Sequence, residues 1–281
     1  MELKDYFPEV QEGAFPLADQ DWISIENGGR YLYIPKSCLT EREQLLLGLG
    51  REGFHQVGQQ SPWYHYLIDR KGNLPESFDY CQFIYLNHYQ PLSAELVELL
   101  TSVIDGVEAV LPIGPTRTAF LRHQRNSPDL LQLLKQLLPT IESDFGLALT
   151  IFIGNTWDKL TGSVLRDYFE EENRLLNTYL TQKSTGNLLT FPELMLWSLV
   201  SHQPLPTLTQ HFSQLLINQK EVADLVQALW QAHGNLVQTA QRLYIHRNSL
   251  QYKIDKFAQQ SGLYLKNLDD LAFAYLLLLK H

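Results

Sequence analysis

A stretch near the end of the chain holds two apolar patterns of helical period, separated by the three residues 244–246. Asn235 is a good N-cap for the first helix, and Gly262 is a typical stop for the second. Gly234 would end a preceding helix over Val222–His233. Two short helices joined by a tight turn form a helix-turn-helix, whose second helix can enter the major groove of DNA. The apolar positions that define the two helices are Leu236, Ala240 and Leu243, then Leu250, Ile254 and Phe257.

The outward face of the second helix is polar, and its residue types suit contact with DNA. Arginine and lysine pair with guanine, asparagine and glutamine pair with adenine, and serine and tyrosine bind phosphate. Free N–H groups in the first turn of a helix can also hold a phosphate. For His246 a phosphate contact and a structural hydrogen bond in the turn are both open, and a polar face that only meets water is the alternative for the whole set. The predicted DNA-binding residues are His246, Arg247, Asn248, Ser249, Gln251, Tyr252, Lys253 and Lys256.

One set of residues in this segment carries a resemblance to a known family: Gly234, Asn235, Ala240, His246, Arg247, Asn248, Ser249, Leu250, Tyr252, Lys253, Gly262 and Leu263. In these residues the segment resembles the C-terminal helix-turn-helix of the PucR/CdaR family of bacterial transcription regulators. One departure is Lys253, where arginine is usual, because lysine keeps the charge but loses the bidentate fork. The resemblance implies a cytoplasmic regulator that binds a double-stranded DNA operator, forms a homodimer and can respond to a small-molecule effector.

Charge is divided unevenly along the 281 residues, whose net charge is −9. Residues 220–281 hold seven Lys/Arg and five Asp/Glu, a net charge of +2, so residues 1–219 carry −11. A mildly basic end on an acidic body suits a site-specific DNA binder that binds other DNA poorly. The 52 leucines fit many amphipathic helices and follow neither a leucine-rich-repeat period nor a sustained heptad.

Cysteine usage and hydropathy predict a protein of a reducing cytoplasm with no membrane partner. Cys38 and Cys81 lie far apart, and each is expected to be a small buried hydrophobe. The N-terminus has no signal-peptide pattern. The longest wholly apolar run, Leu271–Leu279, is too short to span a bilayer and is expected to be a buried core helix, with a dimer contact as the alternative. The nine histidines form no HExxH and no close metal pair, so no metal is expected.

The middle of the chain alternates regularly between strand and helix patterns from Tyr80 onward, in the order β-α-β-β-α-β-α-β-α. That order predicts an α/β sandwich with a central sheet. The predicted strands are Cys81–His88, Val107–Leu111, Thr118–Arg122, Leu147–Gly154 and Leu188–Phe191, and the predicted helices are Ser93–Ile104, Pro128–Asp144, Asp158–Thr181 and Pro192–Ser201.

Before this sandwich, the sequence predicts a smaller unit. Alternation over Asp21–Glu26 and Arg30–Pro35 predicts a β-hairpin, and Thr40 opens a helix over Glu41–Leu49. Residues 1–20 are expected to be irregular, and residues 58–78 to form a connector pinned by Trp63, Tyr64 and Tyr66. The fold class is therefore α+β multidomain, with a small α/β N-terminal region (1–77), an α/β sandwich (78–203) and an all-α C-terminal helix-turn-helix domain (204–281).

The order of elements in 78–203 is similar to the degenerate GGDEF-like domain that precedes the helix-turn-helix in CdaR-type regulators. An active nucleotide cyclase of this type needs acidic residues at the central hairpin to hold Mg²⁺. The hairpin over Leu111–Phe120 has no carboxylate, and Pro112 and Pro115 stiffen it. We therefore expect a scaffold, sensor or dimerisation unit without enzyme activity and without a cofactor.

Two further patterns receive structural interpretations. Residues 48–53 match G-x-G-x-x-G but follow a helix, so a helix stop and turn is favoured over a dinucleotide site. The run Glu170–Glu172 is expected to be a solvated helix face. Two functions remain as alternatives to DNA binding: a nucleotide-binding or signalling protein built on the α/β domain, and a protein–protein interaction module built on the helix-turn-helix.

Overall fold

A three-stranded antiparallel sheet opens the fold. The structure, a computed structural model, describes residues 9–17, 21–27, 30–48, 61–124, 128–158, 163–183 and 187–280. The strands are β1 (Gln11–Gly13), β2 (Trp22–Asn27) and β3 (Arg30–Pro35), in the order β1-β3-β2. The hairpin prediction is confirmed, with Ile23 opposite Ile34. The expectation that residues 1–20 are irregular is wrong at β1, which pairs with β3.

Two short helices follow the sheet. The first, α1 (Glu41–Gly48), begins as predicted, because Thr40 N donates to Glu43 Oε2 at 2.8 Å. The rest of the 48–53 glycine pattern lies outside the described residues. The expectation of a plain connector is wrong at α2 (Pro62–Leu67), a helix whose N-terminus is capped by Ser61. The three aromatic residues expected to pin this segment, Trp63, Tyr64 and Tyr66, are all buried.

The central sheet has five strands in the order β5-β6-β4-β7-β8. All neighbours are antiparallel except β7 and β8, which are parallel. The predicted order of strands and helices is confirmed throughout this region. The elements are β4 (Tyr80–Asn87), α3 (Ala94–Val103), β5 (Val107–Gly114), β6 (Arg117–Arg122), α4 (Pro128–Phe145), β7 (Thr150–Asp158), α5 (Ser163–Gln182), β8 (Leu188–Thr190) and α6 (Phe191–Val200).

Both faces of this sheet are covered. Ile84 and Phe120 pack in one cluster with residues of α3 and α4, including Leu96 and Leu134. The opposite face packs in a second cluster that includes Phe169 of α5. The largest boundary errors lie at β7. The strand predicted over Leu147–Gly154 is Thr150–Asp158, so Asp158 ends a strand and does not start α5. Every residue of β7 between its two end residues is buried, so apolar and polar residues do not alternate in exposure along the strand. The alternation that would mark the two ends of the strand is therefore missing from the sequence.

The C-terminal region is entirely helical in the part that the structure describes. Leu205 lies directly before the first of these helices and is buried. The segment that joins the central region to the C-terminal helices, which contains Pro204, therefore packs against the rest of the protein. The main hydrophobic cluster runs without interruption from Phe83 of the sheet to Phe257 and Phe273 in these helices. Among the described helices, none combines the length and the hydropathy that crossing a membrane requires. The helices are α7 (Pro206–Ile217), α8 (Lys220–Gln231), α9 (Leu236–Arg242), α10 (Arg247–Ser261) and α11 (Leu268–Leu279).

The three glutamates expected to form a solvated face of α5 are instead structural, and that expectation is wrong. Glu170 pairs with Arg70. Glu171 accepts from two backbone N–H groups at the start of α7, those of Thr207 at 3.0 Å and Leu208 at 2.8 Å. Glu172 has no solvent exposure. Because α5 lies between the sheet and the C-terminal helices, Glu171 and Glu172 are buried, and Glu170 is partly buried beside Arg70.

The two cysteines differ in their surroundings. Cys81 is buried, as expected, whereas Cys38 is exposed, so the prediction of a buried residue is wrong for Cys38. Burial raises the pKa of the Cys81 thiol well above its ordinary value, and the nearby Glu172 acts in the same direction.

Candidate nucleic-acid interface

The interface is built on the turn between α8 and α9 and on the turn that follows α9. Gly234 adopts a φ of 76°, a left-handed conformation that ends the α8 segment. The side chain of Asn235 then caps α9 by accepting from Val237 N at 3.0 Å and Gln238 N at 3.2 Å. Both predicted roles are confirmed. The predicted helix over Val222–His233 is real, but α8 begins two residues earlier, at Lys220.

The turn between α9 and α10 is tight and hydrogen-bonded. Ile245 N donates to Ala240 O at 3.0 Å, and Tyr244 adopts a φ of 53°. The Nδ1 atom of His246 accepts from Asn248 N at 3.2 Å, so His246 is the N-cap of α10. The structural role considered for His246 is therefore present. A neutral imidazole that accepts at Nδ1 carries its proton on Nε2, which leaves a donor on an exposed residue.

The inward face of α10 is apolar and buried as predicted. Leu250, Ile254 and Phe257 each have at most 2% of their surface exposed. They join the cluster that also contains Leu225 and Leu229 of α8. Burying this face fixes the rotation of α10, and the polar residues between these positions consequently point outward.

The predicted DNA-binding residues lie together on the N-terminal two-thirds of α10 and its cap. Two of them form hydrogen bonds with other side chains at the surface. Gln251 donates to Asp255 at 2.7 Å along the helix, and Lys253 donates to Glu221 at 2.5 Å across to α8. Both are half-buried. The exposed members of the set are His246, Arg247, Asn248, Ser249, Tyr252 and Lys256.

Three further residues share this surface and were not among those predicted. Tyr244 lies in the turn and is 95% exposed. Lys220 and Glu221 lie in the first turn of α8 and face α10 across a groove. The helical pattern predicts that this helix starts at Val222, and the two residues before Val222 therefore have no predicted position beside α10. Tyr244 falls inside the break between the two helices, where helical periodicity carries no information about exposure.

The four helices α8 to α11, with a polar outward face on α10, define a helix-turn-helix domain of the DNA-binding class. Residues 222–279 match the model of the PucR C-terminal helix-turn-helix domain. The chain therefore carries a domain found in transcription regulators, and this part of the resemblance is confirmed.

The similarity to known proteins extends beyond this domain. It is 61% identical over 283 residues to the "Leucine-rich protein" of Streptococcus dysgalactiae subsp. equisimilis, covering all of both chains. It is 26% identical over 277 residues to the Bacillus subtilis (strain 168) protein YxkF, covering 91% of this chain and 89% of that protein. A solved structure, the regulator of polyketide synthase expression from Bifidobacterium adolescentis, is 18% identical over 74% of this chain and 81% of its own, with a TM-score of 0.35. The chain belongs to the family of the streptococcal leucine-rich protein.

Proposed function

We propose that this protein is a cytoplasmic, sequence-specific transcription regulator that places α10 in the major groove of a DNA operator. The observation that carries the proposal is the two-sided character of α10. Its apolar side is fully buried, and its first turns present exposed side chains that donate hydrogen bonds. A helix held in this way can bring its N-terminal residues to base edges without rearranging its core.

The roles of the individual residues follow from their chemistry and position. Arg247 and Asn248 lie at the start of α10 and are the first candidates for base or phosphate contact. Gln251 follows one turn later and can exchange Asp255 for an adenine edge. Phosphate contacts are assigned to His246, Ser249, Tyr252, Lys253 and Lys256.

Dimerisation is part of the proposal. One recognition helix with a few cationic side chains makes few phosphate contacts and binds weakly. Pairing two copies raises affinity through effective concentration, and helix-turn-helix proteins commonly bind two half-sites about one helical turn apart. We assign this pairing to the acidic body of the chain.

The body is proposed to comprise a small N-terminal unit (1–77) and a GGDEF-like, non-catalytic domain (78–203) that responds to a small-molecule effector. Its tight attachment to the helix-turn-helix domain (204–281) supports such a response. Arg174 of α5 donates to Pro204 O at 2.7 Å, and Glu171 holds the start of α7. A shift of α5 would therefore move the helices that carry α10.

The direct experiment is selection of duplexes bound by the full-length chain from a random DNA pool. Affinity for the selected site is then measured by fluorescence anisotropy at several salt concentrations. Arg247→Ala and Gln251→Ala are each expected to cost about 1–3 kcal/mol and to relax sequence preference at one position. Lys266→Ala is the matched control, because Lys266 is an exposed cation outside the predicted interface.

Three results would contradict parts of this proposal. Failure to enrich any sequence, with no salt-sensitive DNA affinity, would favour the protein–protein interaction module. Unchanged binding by Arg247→Ala or Gln251→Ala would remove that residue from the interface. Turnover of GTP in the presence of Mg²⁺ would favour the signalling alternative.

A further inference from the structure

A groove of about 760 Å³ lies between the start of α8 and the outward face of α10. Three lysines line it: Lys220 from α8, and Lys253 and Lys256 from α10. Asn248 and Tyr252, both assigned above to DNA contact, line the same groove. It is therefore continuous with the proposed DNA-binding face and rich in groups that bind anionic oxygen.

The carboxylate in this lining belongs to Glu221. Its Oε2 atom accepts a hydrogen bond from Lys253 Nζ, although 81% of the Glu221 side chain is exposed. The pKa of Glu221 is lowered by the hydrogen bond and charge of Lys253 and also by the charge of Lys256. One exposed carboxylate thus partly neutralises two of the three lysines in the groove.

We propose that the Glu221 carboxylate occupies the position of a DNA backbone phosphate and competes with DNA for Lys253. The proposal rests on the proposed function and assigns to it a built-in restraint. The ammonium of Lys253 already holds an anionic oxygen at hydrogen-bonding distance, and a phosphate oxygen presents the same acceptor chemistry. DNA entering the groove must displace the carboxylate and tolerate its charge nearby.

Such competition acts most strongly on non-specific binding. Contacts to phosphate supply almost all of the affinity of a protein for DNA of arbitrary sequence, whereas an operator also offers base contacts. A freed Glu221 also attracts a cation back from solution, which cancels part of the counterion release that drives binding. Glu221 should therefore lower affinity for every duplex and increase the ratio of operator affinity to affinity for other DNA.

The pair between Glu221 and Lys253 could also have a purely structural role, because an exposed ion pair between two helices can be a weak structural contact. A structural contact would affect unfolding and leave the salt dependence of DNA binding unchanged. The test therefore measures both quantities in the same variants of the full-length chain.

The variants are Glu221→Gln and, as control, Asp224→Asn. Both remove one negative charge from α8, but Asp224 is absent from the lining of the groove. Binding to a non-operator duplex and to the selected operator is followed by fluorescence anisotropy across a salt series. Glu221→Gln should bind non-operator DNA roughly three- to tenfold more tightly, with a log–log salt slope steeper by about 0.9, the increment for one phosphate contact. The gain on the operator should be smaller, and Asp224→Asn should change the slope far less.

The possible outcomes distinguish a failure of the phosphate-site assignment from a failure of the proposed regulator function. If the unaltered chain binds duplex DNA and Glu221→Gln behaves like Asp224→Asn, the phosphate-site assignment is overturned and the regulator function stands. If Glu221→Gln changes only the free energy of unfolding, the pair is structural and the assignment also falls. If neither the unaltered chain nor Glu221→Gln binds any duplex, both the assignment and the proposed function fail.

Discussion

The side-chain amide of Asn155, on β7, donates a hydrogen bond to the backbone carbonyl of Ser261, the last residue of α10, at 2.9 Å. Both residues are buried. The next residue, Gly262, lies so close that a Cβ atom there would be 2.3 Å from Asn155 Oδ1 and 2.4 Å from Thr156 O. The end of the proposed recognition helix is therefore fixed directly to the central sheet, and the helix-turn-helix does not hang from the body by a linker alone.

Gly262→Ala should destabilise the protein strongly. Gly262 has a φ of 76°, and an added methyl group would overlap the backbone of β7. The combined cost of left-handed backbone and overlap is expected to be about 2–4 kcal/mol. Gly234→Ala is the matched control, since Gly234 has the same φ but no atom within 4 Å of the added carbon. Its cost should be about 1–2 kcal/mol.

Urea denaturation of both variants checks this prediction. Amide hydrogen exchange at the end of α10 should also accelerate in Gly262→Ala and stay unchanged in Gly234→Ala. Equal losses of stability in the two variants would mean that the contact between α10 and β7 does not restrict residue 262.

Glu172→Gln should change how stability depends on pH. Glu172 accepts from Asn155 N at 2.9 Å and from Trp157 Nε1 at 3.1 Å, yet burial raises its pKa to about 8, from an ordinary value of 4.5. A folded-state pKa above the unfolded value means that the folded protein binds more protons between these two values. The contribution of Glu172 is then fully present at low pH and is lost as pH rises toward 8.

Glutamine is a neutral replacement of nearly the same shape. The stability of Glu172→Gln relative to the unaltered chain should therefore rise by up to about 1.4 kcal/mol per pH unit between pH 6 and 8. Denaturation at several pH values measures this difference, in which the contributions of His88 and His211 cancel. Burial lowers the pKa values of these two histidines to about 4. The pH dependence of stability that they add below pH 6.5 is the same in Glu172→Gln and in the unaltered chain. Glu98→Gln, an exposed replacement on α3, should follow the unaltered chain, and parallel curves for Glu172→Gln would refute the raised pKa.

Glu171→Ala should loosen the attachment of α7. The substitution removes the acceptor of Thr207 N and Leu208 N, and the second of these belongs to a buried residue. Unsatisfied N–H groups of this kind cost about 1–3 kcal/mol. Glu95→Ala removes an exposed acid from the first turn of α3, where Ser93 already caps the helix, and should cost less than about 1 kcal/mol. Similar losses in the two variants, measured by thermal unfolding, would contradict the bridging role of Glu171.

Local patterns in the sequence predicted most of the architecture correctly. The alternation of strands and helices from β4 to α6 follows from runs whose periodicity is strong. The cap residues Thr40, Asn235 and Gly262 were also predicted, because capping depends on groups within a few residues along the chain. The eight predicted interface residues share one surface for the same reason, since they fall on one helix and its cap.

Three of the errors and omissions share a different physical origin, because they depend on neighbours that are distant in sequence. A run of three glutamates normally meets water, but α5 lies between the sheet and α7, which supplies N–H groups for Glu171. The short strand β1 has no apolar alternation and forms because β3 offers a free edge. The contact between Glu221 and Lys253 spans 32 residues and could not be inferred from either helix alone.

His246 combines two roles that substitutions can separate. Its Nδ1 atom caps α10, and its Nε2 donor is proposed to bind a DNA phosphate. Replacing a good cap by alanine costs about 1 kcal/mol, whereas asparagine is a strong N-cap that lacks a group at the position of Nε2. His246→Ala should therefore lower both stability and DNA affinity, and His246→Asn should keep stability but lose affinity for the selected operator to a similar extent. Denaturation and anisotropy on the two variants provide the comparison. Full operator affinity in His246→Asn would show that the histidine acts only as the cap of α10.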